Sequence, residues 1–427
     1  MSKNNFIRTI DKTKIKKDLI WNYISLFFLG LSGIGINICI GINFEPSILG
    51  AFNQVLVTYL LASILASGGI NYSVLTALAQ NKLKKNISII IKGALIPGIV
   101  LSILIIFIYS SLTDFISSLF GSEDVRIGMI TITPAIFFFS INKIILLGII
   151  NGLGRMRGFA IYQIIRYLGL IISLLIVINQ SINGPNLTII FLISEFFLFI
   201  ILIIDITYNY HWWRAENWFH WTRKHLFFGF KSLLSSLFIE MNTRIDIFML
   251  GIFLSDEVVG IYSFAALFAE GFLQIIVVLQ NNINPILAKL IKTNKVELSK
   301  FISKLKWTSY KFISLIGILS ISIYPLLISL ITNKPEFIKS FIPFSIILLG
   351  IIISSGYLPF QNILIMFNRP SEQSNVIILV ALINVCLNSI FIPLLGMKGA
   401  SLGTALSTIF SVYILKYFVK KEFNLKI

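Results

Sequence analysis

Residues 186–206 read NLTIIFLISEFFLFIILIIDI, a run in which only Glu195 and Asp205 carry charge. An apolar stretch of this length is what an α-helix needs to cross about 30 Å of hydrocarbon, roughly 20 residues. Isoleucine and phenylalanine also favour strands, but the run is too long and lacks the period-2 alternation of a membrane-barrel strand. Working outward, comparable windows recur at 19–42, 47–70, 88–112, 128–151 and 159–179 before it, and at 229–253, 258–282, 308–331, 340–362, 374–394 and 398–418 after it. Across all 427 residues 56% are hydrophobic and 12% charged, whereas an ordinary soluble domain carries about 25% charged residues. The expected fold is an all-α polytopic membrane protein with about twelve transmembrane helices. Lys12, Lys14, Lys16 and Lys17 before the first window resemble the start of a signal peptide. The run is too long and no small-residue cleavage pattern follows, so an uncleaved first helix is expected.

A net charge of +17 would suggest nucleic acid in a soluble chain. Its distribution says otherwise. With the amino terminus in the cytoplasm, the inside segments hold Lys3, Arg8, the Lys12–Lys17 cluster, Lys82, Lys84, Lys85, Arg155, Arg157, Arg214, Arg223, Lys224 and Lys231. They continue with six lysines from Lys289 to Lys306, then Arg369, Lys416, Lys420, Lys421 and Lys426. Only Arg126, Lys334, Lys339 and Lys398 fall outside, a bias of 26 to 4. This is the positive-inside pattern for an even number of spans with both termini cytoplasmic in a bacterial inner membrane. No nucleic-acid partner is expected. All six tryptophans (Trp21, Trp212, Trp213, Trp218, Trp221, Trp307) flank the same helix ends, and the stretch from Tyr208 to Lys231 reads as interfacial. His211, His220 and His225 lack metal-ligand spacing, so no metal site is expected. Cys39 and Cys386 fall inside spans, where packing explains them better than a disulfide.

Sliding the chain by 210 residues places 48–52 (ILGAF) on 258–262 (VVGIY), and an offset of 214 places Gly154 and Arg155 on Asn368 and Arg369. The expectation is two pseudo-repeated six-helix bundles, 1–206 and 229–427, joined by a cytoplasmic interfacial linker at 207–228. Because six is even, both halves enter from the same side. No outside loop exceeds roughly 15 residues, leaving no room for an extracytoplasmic catalytic domain or the large loop a membrane-bound polymerase would need. Neither a Walker loop nor a Ser, His, Asp set appears. Transport without enzymatic catalysis is the reading that remains.

Ionisable groups within spans cost roughly 2.5–3.5 kcal/mol each on insertion scales and mark candidate function. They are Lys143, Arg166, Glu195, Glu240, Arg244, Asp246 and Glu270, while Lys92, Asp205 and Lys311 sit near helix ends where snorkelling explains them. Glu240 and Arg244 share a helix face at i,i+4, as do Asn242 and Asp246, so an internal salt bridge and a ligand role both stand. Lys143 and Arg166 have no carboxylate at helical spacing on their own helices and are candidate cavity cations. Glu195 and Glu270 are candidates for proton carriage or for pairing with those cations. Asn53, Gln54, Thr58, Tyr59, Gln274, Gln280, Asn281 and Asn282 could bind sugar hydroxyls or bridge helices.

Residues 242–265, NTRIDIFMLGIFLSDEVVGIYSFA, resemble the start of the second half of Wzx-type polysaccharide flippases. Residues 382–407, LINVCLNSIFIPLLGMKGASLGTALS, are similar to that family's eleventh and twelfth helices, with Asn384, Asn388, Pro393, Gly396, Gly399 and Ala400 at the matching places. The wider superfamily includes multidrug and toxin extruders (MATE) and lipid II flippases, so the resemblance implies a MATE-like fold. It also implies an undecaprenyl-diphosphate-linked oligosaccharide, an O-antigen or capsule repeat unit, moved across the inner membrane by alternating access. Lys143, Arg166 and Arg244 would then meet the substrate, and Glu195, Glu240, Asp246 or Glu270 would serve proton coupling or ion pairing. No cofactor is implied beyond proton or sodium coupling, and a polysaccharide polymerase and chain-length proteins are the implied partners. A multidrug extrusion antiporter of the same fold is the alternative, but its cationic drugs would favour a carboxylate-dominated cavity.

Overall fold

The computed structural model describes residues 12–423 apart from 82, 294 and 333. Lys3, Arg8, Lys82 and Lys426 of the charge tally lie outside the described residues. The first half runs α1 (Lys12–Asn43), α2 (Pro46–Ser67), α3 (Ile70–Gln80), α4 (Lys84–Phe120), α5 (Glu123–Lys143), a π-helix (Ile144–Ile150), α6 (Met156–Asn179) and α7 (Ile189–Tyr210). The second runs α8 (Phe219–Phe253), α9 (Asp256–Thr293), α10 (Lys295–Thr332), α11 (Phe341–Ser354), the short α12 (Ile363–Met366), α13 (Pro370–Leu395) and α14 (Met397–Phe423). The chain is a multi-pass all-α membrane protein.

Every expected window falls on a helix, yet ten helices among the described residues are long and apolar enough to cross a membrane. The first and seventh windows account for the difference. The described apolar run of α1 is Phe28–Asn43, and α8 carries Glu240, Arg244 and Asp246 in its span. The tenth window is shorter than expected, because α11 stops at Ser354 and gives way to a 3-10 turn at Leu358–Phe360.

The repeat is written in the backbone. The Arg155 amide donates to the Ile150 carbonyl (3.1 Å) and the Gly154 amide to Asn151 (2.9 Å); 214 residues on, Arg369 donates to Leu364 (2.9 Å) and Asn368 to Ile365 (2.9 Å). Gly154 and Asn368 both take positive φ, 67° and 61°, as a chain reversing between helices requires. Each arginine then pairs with its half's sixth span. Arg155 forks onto both Asp205 oxygens (2.8 and 3.0 Å), and Arg369 lies 4.0 Å from Glu422. Asp205 is thus a structural anchor, a correction to the snorkelling expectation. The π-helix and the Leu358–Phe360 turn also occupy the same repeat position.

Contacts divide the chain into two units. Unit 1 comprises Met1–Ile36, Ala62–Thr113 and Met129–Leu234. Its core gathers Ile70, Ile90, Ile144, Ile149, Leu198 and Leu202. The 207–228 segment is sewn onto α4, with the Ser88 hydroxyl donating to the Tyr210 carbonyl (2.6 Å) and the Thr222 hydroxyl to Gly93 (3.0 Å). Lys92, expected to snorkel, instead donates to the Trp213 and Ala215 carbonyls at 2.9 and 2.7 Å. His225, ahead of the 229–253 span, is fully buried, stacked on Trp221, with Nδ1 2.8 Å from the Ser73 hydroxyl. Burial pushes its imidazole down to about 4.

Unit 2 comprises Asn37–Leu61, Asp114–Gly128 and Ser235–Ile427. Here α2 and α9 touch at the two glycines that the 210-residue offset equates. A Cβ on Gly50 would lie 1.8 Å from the Asp256 carbonyl oxygen, and one on Gly260 would lie 1.8 Å from that of Pro46. Pro46 and Asp256 are themselves equated by the offset, so the contact is reciprocal. The Gln54 amide donates to Asp256 Oδ1 (2.7 Å), and the Ser122 hydroxyl to Oδ2. Nearby, Lys334 Nζ caps the end of α1 at the Gly41 and Phe44 carbonyls, 3.0 and 2.6 Å away.

Two outcomes are expected. Gly50→Val or Gly260→Val should lower stability in detergent by more than the roughly 1–3 kcal/mol of ordinary overpacking, since backbone is what the new methyls meet. Gly30→Ala, with nothing within 4 Å of its Cβ, should be silent, and equal melting of all three proteins would refute the close approach. His225 is held neutral when folded. Its stabilising contribution is full above pH 6.5 and is lost as pH falls towards 4, by about 1.4 kcal/mol per pH unit. His225→Gln should flatten that slope in pH-dependent thermal melts; an unchanged slope would sink the assignment.

Candidate functional site

Unit 2 encloses a cavity of about 210 Å³ bounded by α8, α9, α11, α13 and α14 together with Gln361. Its polar wall is Asn242, Thr243 and Asp246 from α8, Glu270 from α9, Asn384 from α13, and Thr404, Ser407, Thr408 and Ser411 from α14. The i,i+4 spacing puts Asn242 and Asp246 on one face of α8, and Glu270 stands one turn from Ala266 on α9. Asp246 is buried and accepts three hydrogen bonds: from Tyr262 Oη at 2.5 Å, the Ile247 amide at 2.8 Å and Thr404 Oγ1 at 3.3 Å. Arg244 Nε lies 3.3 Å from Glu240 Oε1, so the same-helix pair forms. Glu240, Arg244 and Asp246 are all close enough to act electrostatically on Glu270. Four of the seven charged candidates therefore gather here, three carboxylates to one guanidinium.

Small residues make this possible. A Cβ on Gly399 would lie 1.9 Å from the Phe391 carbonyl oxygen, and one on Gly403 2.7 Å from Asn388 Oδ1. The α13–α14 hairpin closes tightly, with Gly396 at φ 60° ending α13. Asn388 donates to Asn384 Oδ1 at 2.8 Å, and Asn384 donates to the Asn242 carbonyl at 3.3 Å. The Asn384 side chain is thereby held against the chamber.

Two further candidates meet in unit 1. Glu195 is fully buried on α7, and Arg166 of α6 donates to its Oε1 at 2.5 Å. Asn142, at the end of α5, donates to the Glu195 Oε2 at 2.9 Å and to its backbone carbonyl at 2.8 Å. The Arg166 guanidinium also lies 4.4 Å from the Phe139 ring centre. Arg166 thus has the interhelical carboxylate that its own helix lacks. Lys143, half-buried, is the last residue of α5, where the backbone widens into the π-helix.

Polar residues of α2 join helices. Asn53 donates to Asn37 Oδ1 at 2.9 Å, and Gln54 belongs to the Asp256 cluster. Sequence reasoning passed over Thr404, Ser407, Thr408 and Ser411 as site residues. Their i,i+3, i,i+4 spacing along one face of an apolar span is the signal that could have found them.

Residues 15–291 match the family described as "Polysaccharide biosynthesis protein". The chain belongs to this polysaccharide biosynthesis family. Among solved structures it is similar to a lipid II flippase MurJ in an inward closed conformation, with TM-score 0.76 and 16% identity over 94% of this chain and 87% of that one. It is also similar to an inward-facing MATE-family multidrug resistance transporter of the MOP superfamily (TM-score 0.74, 12% identity, 93% and 94% covered). The Vibrio cholerae MATE transporter VcmN in its bent form follows at TM-score 0.59 and 13% identity, with 96% and 97% covered. No curated protein matches the chain. The polysaccharide biosynthesis family member described here therefore has the MurJ and MATE fold.

Removing one partner of a buried ion pair leaves an uncompensated charge, at a cost of about 3–5 kcal/mol, whereas replacing both with apolar residues is often neutral. Arg166→Ala should therefore lower stability in detergent by that order, and the Arg166→Met/Glu195→Met double variant should recover most of it. A double variant no more stable than the single would show that the pair is not the cause.

Proposed function

We propose that this protein is a flippase. It moves an undecaprenyl-diphosphate-linked oligosaccharide, an O-antigen or capsule repeat unit, from the cytoplasmic to the outer leaflet of a bacterial inner membrane by alternating access. The family match over 15–291 carries this reading, because it ties a twelve-window helical chain to polysaccharide biosynthesis without a soluble domain that could build sugar bonds. The charge bias supports cytoplasmic termini. A diphosphate bearing several sugars cannot cross hydrocarbon unaided, while its polyprenyl tail need never leave lipid. In this reading Lys143 and Arg244 supply cations for the head group. Arg166 acts through its pair with Glu195, holding α6 against α7. A polymerase and chain-length proteins would take the product.

The chamber of unit 2 adds a coupling step. Asp246 and Glu270 face it beside Asn242, Asn384 and Thr404, an oxygen-rich wall suited to a proton or a sodium ion. The same acidic wall favours the second reading, a multidrug extruder, whose cargo would be cationic.

The two readings part in cells and in vesicles. Lys143→Ala and Arg244→Ala should each cut surface polysaccharide at least tenfold while leaving drug tolerance unchanged. Asp246→Asn should abolish gradient-driven flipping of a fluorescent undecaprenyl-diphosphate oligosaccharide in proteoliposomes. Export of cationic dyes with normal surface polysaccharide in the variants would overturn the flippase in favour of the extruder.

A further inference from the structure

At the basic end of unit 2, two lysines from different helices converge on one tyrosine. Lys416 Nζ of α14 lies 3.7 Å from the Tyr357 ring centre, and Lys306 Nζ of α10 lies 5.3 Å from it. Tyr357 sits where the chain turns away after α11. Gly356 beside it has no room for a side chain, since a Cβ there would fall 2.2 Å from the Tyr310 ring. Tyr310 is itself fixed, its hydroxyl donating to the Ile353 carbonyl at 3.0 Å and its ring packed edge-on to Tyr357 at 6.1 Å. The tyrosine that gathers the two ammoniums is thus held by backbone and packing.

Neither lysine takes part in any ion pair formed among the described residues. Both are half-buried. Burial alone would raise the Tyr357 phenol, but the Lys416 and Lys306 ammoniums outweigh it and bring the phenol below its ordinary value. Two like charges beside one ring repel, and ring quadrupoles offset this only in part. An anion between them would remove the repulsion. The outer side of the cluster is aromatic and open: Trp307, Tyr413 and Tyr417 are 62%, 63% and 62% exposed. Rings so placed belong at the headgroup level of a bilayer. Lysine binds phosphate as a point charge without a fixed fork, which suits a mobile headgroup.

We propose that Lys306, Lys416 and Tyr357 form a binding site for a lipid-borne phosphate at the basic end of unit 2. The site is separate from the acidic chamber and does not depend on the cargo proposed above. Its ligand is the phosphate oxyanion of a net-anionic lipid, with no ammonium of its own to neutralise it, the acyl or prenyl chain lying against Trp307 and Tyr413 and the phosphate between the two ammoniums. A bulk anionic phospholipid and a polyprenyl diphosphate share this chemistry.

Native mass spectrometry of the full-length protein released from nanodiscs tests the assignment. The probes are phosphatidylglycerol, undecaprenyl diphosphate, phosphatidylcholine and inorganic phosphate. The Lys306→Gln/Lys416→Gln double variant should retain at least fivefold less phosphatidylglycerol than the parent. Lys311→Gln, an exposed lysine on the same helix, should bind like the parent, and Lys306→Arg/Lys416→Arg should keep binding. Preferential retention of undecaprenyl diphosphate, lost equally in the double variant, also supports the site and names its source. Should the double variant fail to fold, Lys416→Gln alone should give a partial loss. Unchanged phosphatidylglycerol and undecaprenyl diphosphate retention in the glutamine variants, equal retention of phosphatidylcholine, or binding of inorganic phosphate with no lipid would each overturn it. Failure here leaves flipping in proteoliposomes untouched, so the two proposals fall separately.

Discussion

A charged side chain within hydrocarbon must be answered by the protein, because lipid offers no hydrogen bonds. That constraint accounts for the arrangement around Glu195, which is fully buried and contacted by Arg166 and Asn142 from two neighbouring helices. It accounts equally for Asp246, whose carboxylate meets a phenol, a hydroxyl and a backbone amide. In each case the donors come from different helices, so satisfying one carboxylate also fixes how those helices lie side by side.

Where no charge is involved, close backbone approach does the same task. Gly50 and Gly260 let α2 and α9 meet at carbonyl distance, the small-residue packing that replaces hydrophobic driving force between helices in lipid. That these glycines are repeat equivalents is more than coincidence of register. A pair of equivalent positions in mutual contact is what a local two-fold relation between repeated segments produces. The turns at Gly154 and Asn368, each followed by an arginine that reaches a carboxylate of its own half, repeat one local motif within each half.

The helix windows were legible because burial of twenty apolar residues leaves a signal in every one of them, and the Glu240–Arg244 pair was legible because its partners lie one turn apart. For Glu195, pairing with one of the cations was one of two open readings, but Arg166 could not be singled out as the partner, since 29 residues and a turn separate them. Lys92 and Asp205 look like snorkelling residues in sequence, and their backbone and arginine partners follow only from how α4 packs on the 207–228 segment and how α7 packs on the turn before α6. The π-helix at Ile144–Ile150 left no mark at all: its residues are as apolar as those of any span, and one residue per turn more or less is invisible in composition. The end of α11 was missed as well, since the window ran on to 362, although Gly356 and Pro359 both oppose a continuing helix.

The sign of the unit 2 chamber bears on how the proposed cycle would run. An anionic cargo suits a mixed or cationic lumen, and this one leans acidic: Asp246 and Glu270 face the cavity and Glu240 already occupies Arg244. Left ionised and empty, that wall would repel a diphosphate. A proton or sodium ion held there would remove the repulsion and release Arg244 from its surplus of carboxylates, so that cation and cargo favour one another. Such coupling is reciprocal: whatever factor the cation adds to cargo affinity, the cargo adds to cation affinity. An acidic chamber is therefore compatible with an anionic substrate, provided the two ligands are bound in the same state of the protein.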